Sequence, residues 1–196
     1  MTSLILLSGG LSSRFGSPKA LAPWGERPLI THLQDTLLST DLHEIIVVLG
    51  ANSEEIKPFL LKHNKIKVVY NKDYKFGQTS SFKAGLRLVS SSAEAVGLLP
   101  VDFPMLKSDS VNFLIKEYLR ERPAILIPSY RNKKGHPPFF ALSLRKEILE
   151  LPDDAGLNTI AHKHAKDTRL FEVDDEGILL SFNTPAEMQK LRERII

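Results

Sequence analysis

The chain has 196 residues, 42% of them hydrophobic and 25% charged, with a formal net charge of +3. This is the profile of one globular domain with a sizeable core, and its weak positive charge suits anionic small molecules but makes no case for nucleic acid. The absence of cysteine excludes disulfides and thiolate metal sites and agrees with a reducing cytoplasm, no apolar run approaches the ~18 residues of a membrane span, and no basic region precedes Leu4 to suggest a signal peptide.

The apolar run 4–7 reads as a buried strand, and a helical pattern follows at 28–38. A strand is expected at 45–49, a helix at 53–63, a strand at 66–69 and a helix at 79–89. Then come a strand at 96–99, a helix at 109–120 and a strand at 124–127. Strand candidates at 138–142 and 169–173 flank a helix at 157–163, and a last helix spans 185–194. The strands are short, rich in Ile, Val and Leu, and bounded by turn residues. Continuous apolar strands alternating with helices indicate an α/β fold, a single Rossmann-like domain whose mostly parallel sheet is covered on both faces. The expected organisation is one domain over 1–196, in two halves that meet at about 105. Ligands of such sheets bind outside the carboxyl ends of the strands. The informative stretches are therefore 8–19, 50–52, 71–81, 100–104 and 128–137.

The loop 8–19 reads SGGLSSRFGSPK. It is not a Walker A sequence, since Ser17 and Pro18 separate Gly16 from Lys19, and it has no Gly-x-Gly-x-x-Gly. Glycines admit close backbone approach, successive N–H groups in such a turn cradle phosphate oxygens, Arg14 can fork across two oxygens and Lys19 adds a point charge. An ordinary surface loop with basic residues is the alternative.

The strand at 96–99 ends in Pro100-Val101-Asp102-Phe103-Pro104. Prolines fix the backbone around the acid, and a carboxylate at a strand end suits Mg²⁺, which takes one or two carboxylates plus phosphates and waters. A turn before the next helix is the competing reading of Asp102. In 76–85, Thr79 or Ser80 can cap a helix whose N–H groups also suit an anion or a base edge. Gly135-His136-Pro137, after the basic run 131–134, reads equally as a turn. Asp153-Asp154 can cap the helix starting at Leu157. Thr184, Pro185 and Glu187 form a capping box that leaves Asn183 without a structural role. His162 and His164, two apart on a helix, do not face each other and read as a solvated helix end.

SGGLSSRFGSPKAL resembles the nucleotide signature of the MobA/MocA-like nucleotidyltransferases, whose usual form is Leu-Ala-Ala-Gly or Leu-Ala-Gly-Gly followed by x-S-x-R-M-G and a Lys. The resemblance implies a nucleotide-diphospho-sugar transferase-like fold, with a nucleotide-binding half to about 105 and an acceptor-binding half from about 106 to 196. It implies nucleotide contacts from Ser8, Gly9, Gly10, Ser13, Arg14 and Lys19, and from Gly77, Ser80 and Ser81, which match the G-x-S-S-S segment. It further implies metal binding by Asp102, with Asn183 where the family has Asp or Asn. Val101 stands where the family usually has Gly or Cys. Lys134-Gly135-His136-Pro137 is similar to the R-G-H-P motif and Asp154-x-Gly156 to the G-D-x-G segment of the cytidylyl-transferring branch, which implies acceptor contacts from Lys134, His136 and Asp154. Gly9-Gly10 and Asn183-Thr184-Pro185 resemble the guanylyl-transferring branch.

Together these imply a Mg²⁺-dependent enzyme that moves a nucleoside monophosphate, CMP before GMP, from CTP or GTP to the terminal phosphate of molybdopterin and releases pyrophosphate. Arg14, Lys19 and Asp102 are the expected catalytic residues. A molybdoenzyme or its chaperone is a further expected partner. The alternatives are a sugar- or alcohol-phosphate acceptor, and a non-catalytic chaperone that binds molybdenum cofactor.

Overall fold

The computed structural model describes residues 1–194, so the last two positions of the expected domain lie outside the described residues. One mostly parallel eight-stranded sheet organises the molecule. β1 (Thr2–Leu7) lies between β4 (Glu44–Leu49) and β6 (Ala95–Pro100), parallel to both. β5 (Ile66–Tyr70) extends the sheet beyond β4, and β7 (Ile125–Tyr130) pairs in parallel with β10 (Thr168–Glu172). β9 (Phe139–Ala141) runs antiparallel between β6 and β7 and so joins the two expected halves in one sheet. A two-residue β8 (Lys133–Lys134) folds back on β7, and a small hairpin, β2 (Pro23–Trp24) with β3 (Arg27–Pro28), stands apart.

Alternation along β1 sorts the core onto two faces, because successive side chains of a strand point to opposite sides. Leu4 and Leu6 pack with α1 (Leu29–Leu38), α4 (Ser108–Glu121) and α7 (Pro185–Arg192). Ile5 and Leu7 pack with α3 (Gln78–Leu86), α5 (Arg145–Glu150) and α6 (Asn158–Lys163). α1 buries Leu29, Ile30, Leu33 and Leu37, the 3–4 spacing of one helical face.

The expected strands and most helices are present, with differences that have local causes. The helix expected at 53–63 is a short α2 (Ser53–Ile56) and a single tight turn at Lys57–Phe59. Pro58 has no N–H to continue the α-helical ladder, and Leu60 leaves in extended conformation. β5 is not the buried strand its apolar residues suggest. It is a sheet edge, with Val68 46% and Tyr70 50% exposed. His164 is not simply solvated, since its Nε2 lies 2.8 Å from Glu147 Oε2.

α3 lies close against the sheet because Gly85 faces it. A Cβ there would stand 2.7 Å from Ile5 Cγ2 and 2.9 Å from Val48 Cγ2. Replacing Gly85 with Leu is expected to cost about 1–3 kcal/mol through overpacking, against a helix-propensity gain of about 1 kcal/mol. The measurement is urea unfolding, where the midpoint should fall at unchanged slope. A midpoint equal to or above the parent's would mean the contact does not constrain the helix.

Candidate functional site

Three strand ends deliver the site. β1 and β6 are paired in register from Thr2↔Ala95 to Leu7↔Pro100, so the loops that leave them start side by side. The Val101 N–H donates to Leu7 O at 3.0 Å and extends that pairing one step toward Asp102. On the other side of β1, Ser8 N–H donates to Val48 O (2.9 Å) and Ala51 N–H to Gly9 O (3.0 Å), zipping the loop after β1 to the loop after β4. This contact needs glycine on both sides. A Cβ on Gly50 would stand 2.6 Å from Gly9 O and 2.6 Å from Tyr74 Cβ, and one on Gly9 would stand 3.0 Å from Gly50 N.

Beyond Gly10 the loop is organised by Ser12, which has φ 52°. Its carbonyl accepts from the N–H groups of Phe15 (2.9 Å) and Gly16 (3.1 Å), and its hydroxyl accepts from Lys19 N–H (3.1 Å). A single serine thereby sets both Arg14 and Lys19. Phe15 packs on Phe182 with ring centroids 5.3 Å apart, and Phe182 is fully buried, which brings the C-terminal segment to the N-terminal loop.

At this junction four of the residues singled out in the sequence meet. Lys19 Nζ donates to Asp102 Oδ2 at 2.7 Å and to Asn183 Oδ1 at 3.1 Å. Arg14 Nη2 donates to the same Asn183 oxygen at 2.9 Å. Asn183 is held from behind, because Glu187 Oε2 accepts from the N–H groups of Asn183 (2.6 Å) and Thr184 (3.2 Å) while Thr184 Oγ1 accepts from Glu187 N–H (3.2 Å). The capping box is present as read, and it reaches one residue further than its usual partner. The Asn183 N–H, then the Thr184 N–H and the charges of Arg14 and Lys19, hold the Glu187 carboxyl below the usual carboxylate range, against a raising effect of burial.

The cleft around this cluster has a volume of about 360 Å³. Ser8, Gly9, Gly10, Ser13, Arg14, Lys19, Gly77, Ser81, Asp102 and Asn183, all singled out in the sequence, line it together. The Ser8 hydroxyl is buried there without a hydrogen-bond partner among the described residues. Ser80 is not among the lining residues. Its hydroxyl is consumed in the fold, donating to Asp73 O (2.7 Å) and accepting from Asn71 Nδ2 (2.8 Å).

The three expected acceptor residues lie outside this lining. His136 is nonetheless drawn toward it, with its ring 4.6 Å from that of Phe103, next in sequence to Asp102. Burial pushes its imidazole below the ordinary value, and the charge of Asp102 opposes that. Lys134 is exposed on β8, paired across from Ser129. Asp154 is exposed in the segment between α5 and α6. That segment is strapped to α3, where Thr79 Oγ1 donates to Ala155 O (2.5 Å) and Lys83 Nζ donates to Leu151 O (2.7 Å) and Asp153 Oδ1 (2.6 Å).

Ile56, Tyr74, Lys75 and Gln78 also line the cleft and were not singled out from sequence. The rule that ligands sit beyond strand ends points at segment 71–81 but names no side chain within it, and nothing marks Ile56. With Lys75, the charged residues of the lining are three cations, Arg14, Lys19 and Lys75, and one carboxylate, Asp102. Such a surface favours a polyanion. Asp102 and Asn183 each present an oxygen to the same ammonium, so the donor set already converges on a cation, and hard oxygens of this kind fit Mg²⁺.

The chain is 26% identical over 200 residues to a nicotine blue oxidoreductase of Paenarthrobacter nicotinovorans, covering 95% of this chain and 94% of that one. It is 24% identical over 193 residues to the molybdenum cofactor cytidylyltransferase of Escherichia coli K12, covering 97% and 95%. It is 30% identical over 132 residues to a probable molybdenum cofactor guanylyltransferase of Bacillus anthracis, covering 66% and 62%. Among solved structures, Rv0371c of Mycobacterium tuberculosis superposes with a TM-score of 0.84 at 21% identity, covering 98% of this chain and 97% of that one, a likeness of fold. The model of the MobA-like NTP transferase domain matches residues 4–168. The chain belongs to the MobA-like NTP transferase family and is a nucleotidyltransferase.

Proposed function

We propose that this nucleotidyltransferase moves CMP from CTP to the terminal phosphate of molybdopterin. The observation that carries the reading is the convergence of Arg14, Lys19, Asp102 and Asn183 at one edge of the sheet. An oxygen of the acceptor phosphate attacks the α-phosphorus in line, the bond from that phosphorus to the bridging oxygen breaks, and pyrophosphate leaves with the electron pair. The nucleophilic oxygen is already ionised, so no general base is needed.

Gly9 and Gly10 bring backbone N–H groups to the triphosphate, while Arg14 and Lys19 match the charge that grows on the leaving pyrophosphate. Ser12 fixes the backbone of the loop that carries both cations before substrate arrives, which makes positioning the main contribution. Mg²⁺ would be held by Asp102 and Asn183, and when bound it supplies charge neutralisation at the phosphates. His136, beside Phe103, and Asp154, on the segment strapped to α3, then face the second substrate.

CTP is favoured by the Gly135-His136-Pro137 and Asp154-x-Gly156 motifs and by a cytidylyltransferase relative aligned over nearly the whole of both chains. Gly9-Gly10, Asn183-Thr184-Pro185 and the guanylyltransferase relative support GTP as the second reading.

Thermal melts with CTP, GTP, UTP and ATP, each with and without Mg²⁺, rank the base. A ligand at a hundred times its Kd stabilises by about 2.7 kcal/mol, and the largest rise is expected with CTP and Mg²⁺. A larger rise with GTP would replace CTP, and no rise with any nucleotide would refute the nucleotide site. The second test is Asp102→Asn, which should lower Mg²⁺-dependent pyrophosphate release from CTP and molybdopterin by about a hundredfold or more. Its circular dichroism should be unchanged. Undiminished release would remove Asp102 from the chemistry. Cofactor binding without pyrophosphate release in the parent would instead identify a cofactor chaperone.

A further inference from the structure

The oxygens assigned to the metal already have a cation on them. Lys19 Nζ sits 2.7 Å from Asp102 Oδ2 and 3.1 Å from Asn183 Oδ1. The pair is withdrawn from water, with side-chain exposures of 13% for Lys19 and 19% for Asp102. Arg14 places a second positive charge on the same Asn183 oxygen. The ligand set offers one carboxylate and one neutral amide, so the Lys19 ammonium alone cancels its formal charge. No group of three or more His, Asp or Glu residues among the described residues makes a cation site elsewhere.

A divalent cation on Asp102 would lie within a few ångströms of the ammonium, and two like charges that close in a largely buried site repel strongly. We infer that Lys19 closes the metal site in the free protein and that the nucleotide opens it. This rests on Asp102 and Asn183 being the metal ligands. A triphosphate brings its own anionic oxygens to the loop that carries Lys19 and Arg14. The ammonium then exchanges Asp102 for phosphate, and the vacated carboxylate receives the cation that the phosphates bring. The ring of Phe182, 5.5 Å from Nζ, gives the ammonium an aromatic face beside this path.

Lys19 is thus a specificity-determining residue as well as a phosphate ligand. It makes the site take up a metal–nucleotide complex and reject the bare ion. The opposite design, a site preloaded with metal, would need a second carboxylate to hold the ion without nucleotide.

The test is Mn²⁺ binding read by water-proton relaxation, without nucleotide and with CTP or GTP, in the parent, Lys19→Met, Lys19→Gln and the double variant Lys19→Met, Asp102→Asn. Thermal melts show which variants are folded. The parent should bind Mn²⁺ weakly alone and tightly with the preferred nucleotide. Either Lys19 variant should bind Mn²⁺ alone about tenfold or more tightly than the parent, bind nucleotide more weakly, and lose the gained affinity when Asp102 is also replaced. Equal Mn²⁺ affinity of the nucleotide-free parent and both folded Lys19 variants would overturn the inference while leaving the metal assignment standing. A parent that holds no Mn²⁺ even with nucleotide would overturn the metal assignment itself, and a gain that survives loss of Asp102 would place the ion elsewhere.

Discussion

The contact between the Lys19 ammonium and the Asp102 carboxylate is where the two loops leaving the centre of the sheet become one site. It exists because β1 and β6 are parallel and in register, so that both chains run out at the same edge. Parallel strands have no short connection, and the crossover segments place the next loop on that edge each time. The ion pair is largely removed from water on both sides. Breaking it by deleting one partner leaves a charge that is neither solvated nor matched, so each residue constrains what the other can become.

The C-terminal segment reaches this pair by packing rather than by strand pairing. Phe182 is fully buried and meets Phe15, which sets the depth at which Asn183 enters. The helix cap behind it has two tasks. Thr184 and Glu187 start α7, and the same Glu187 carboxylate fixes the Asn183 backbone. A motif with a complete structural explanation here also holds a residue that lines the cleft, and the two tasks do not compete.

Much of this was legible because the signals are local. Apolar runs of Ile, Val and Leu mark β1, β4 and β6, and the residues just beyond them, Gly9, Lys19 and Asp102, are where a parallel sheet places its ligands. The capping box could be read residue by residue. What was hidden depends on partners distant in sequence. β5 looks buried until its place at the sheet edge is known, because Val68 and Tyr70 carry no mark of which neighbour is missing. Ser80 and Ser81 are adjacent and chemically identical, and Asn71 Nδ2 donates to both hydroxyls, yet only Ser81 lines the cleft while Ser80 turns to donate to Asp73 O. Tyr74, Lys75 and Gln78 line the cleft because the turn after β5 folds over Gly50, a contact that no residue pattern announces. Lys83 resembles any helical lysine, and only the fold shows its buried ammonium gripping the segment that carries Asp154.

The span of the central cluster along the chain has its own consequence for biogenesis. Lys19 and Asn183 are 164 residues apart, and Arg14 and Asn183 are 169 apart. Closing so long a loop is entropically costly and is repaid only when the intervening layers have packed. On the ribosome, the N-terminal glycine loop emerges early, whereas its amide partner emerges after nearly the whole sheet has been translated. A nascent chain that has not yet reached Asn183 therefore has its glycine loop without the residue that joins Arg14 to Lys19, and the cluster closes only after the strands between them have been made.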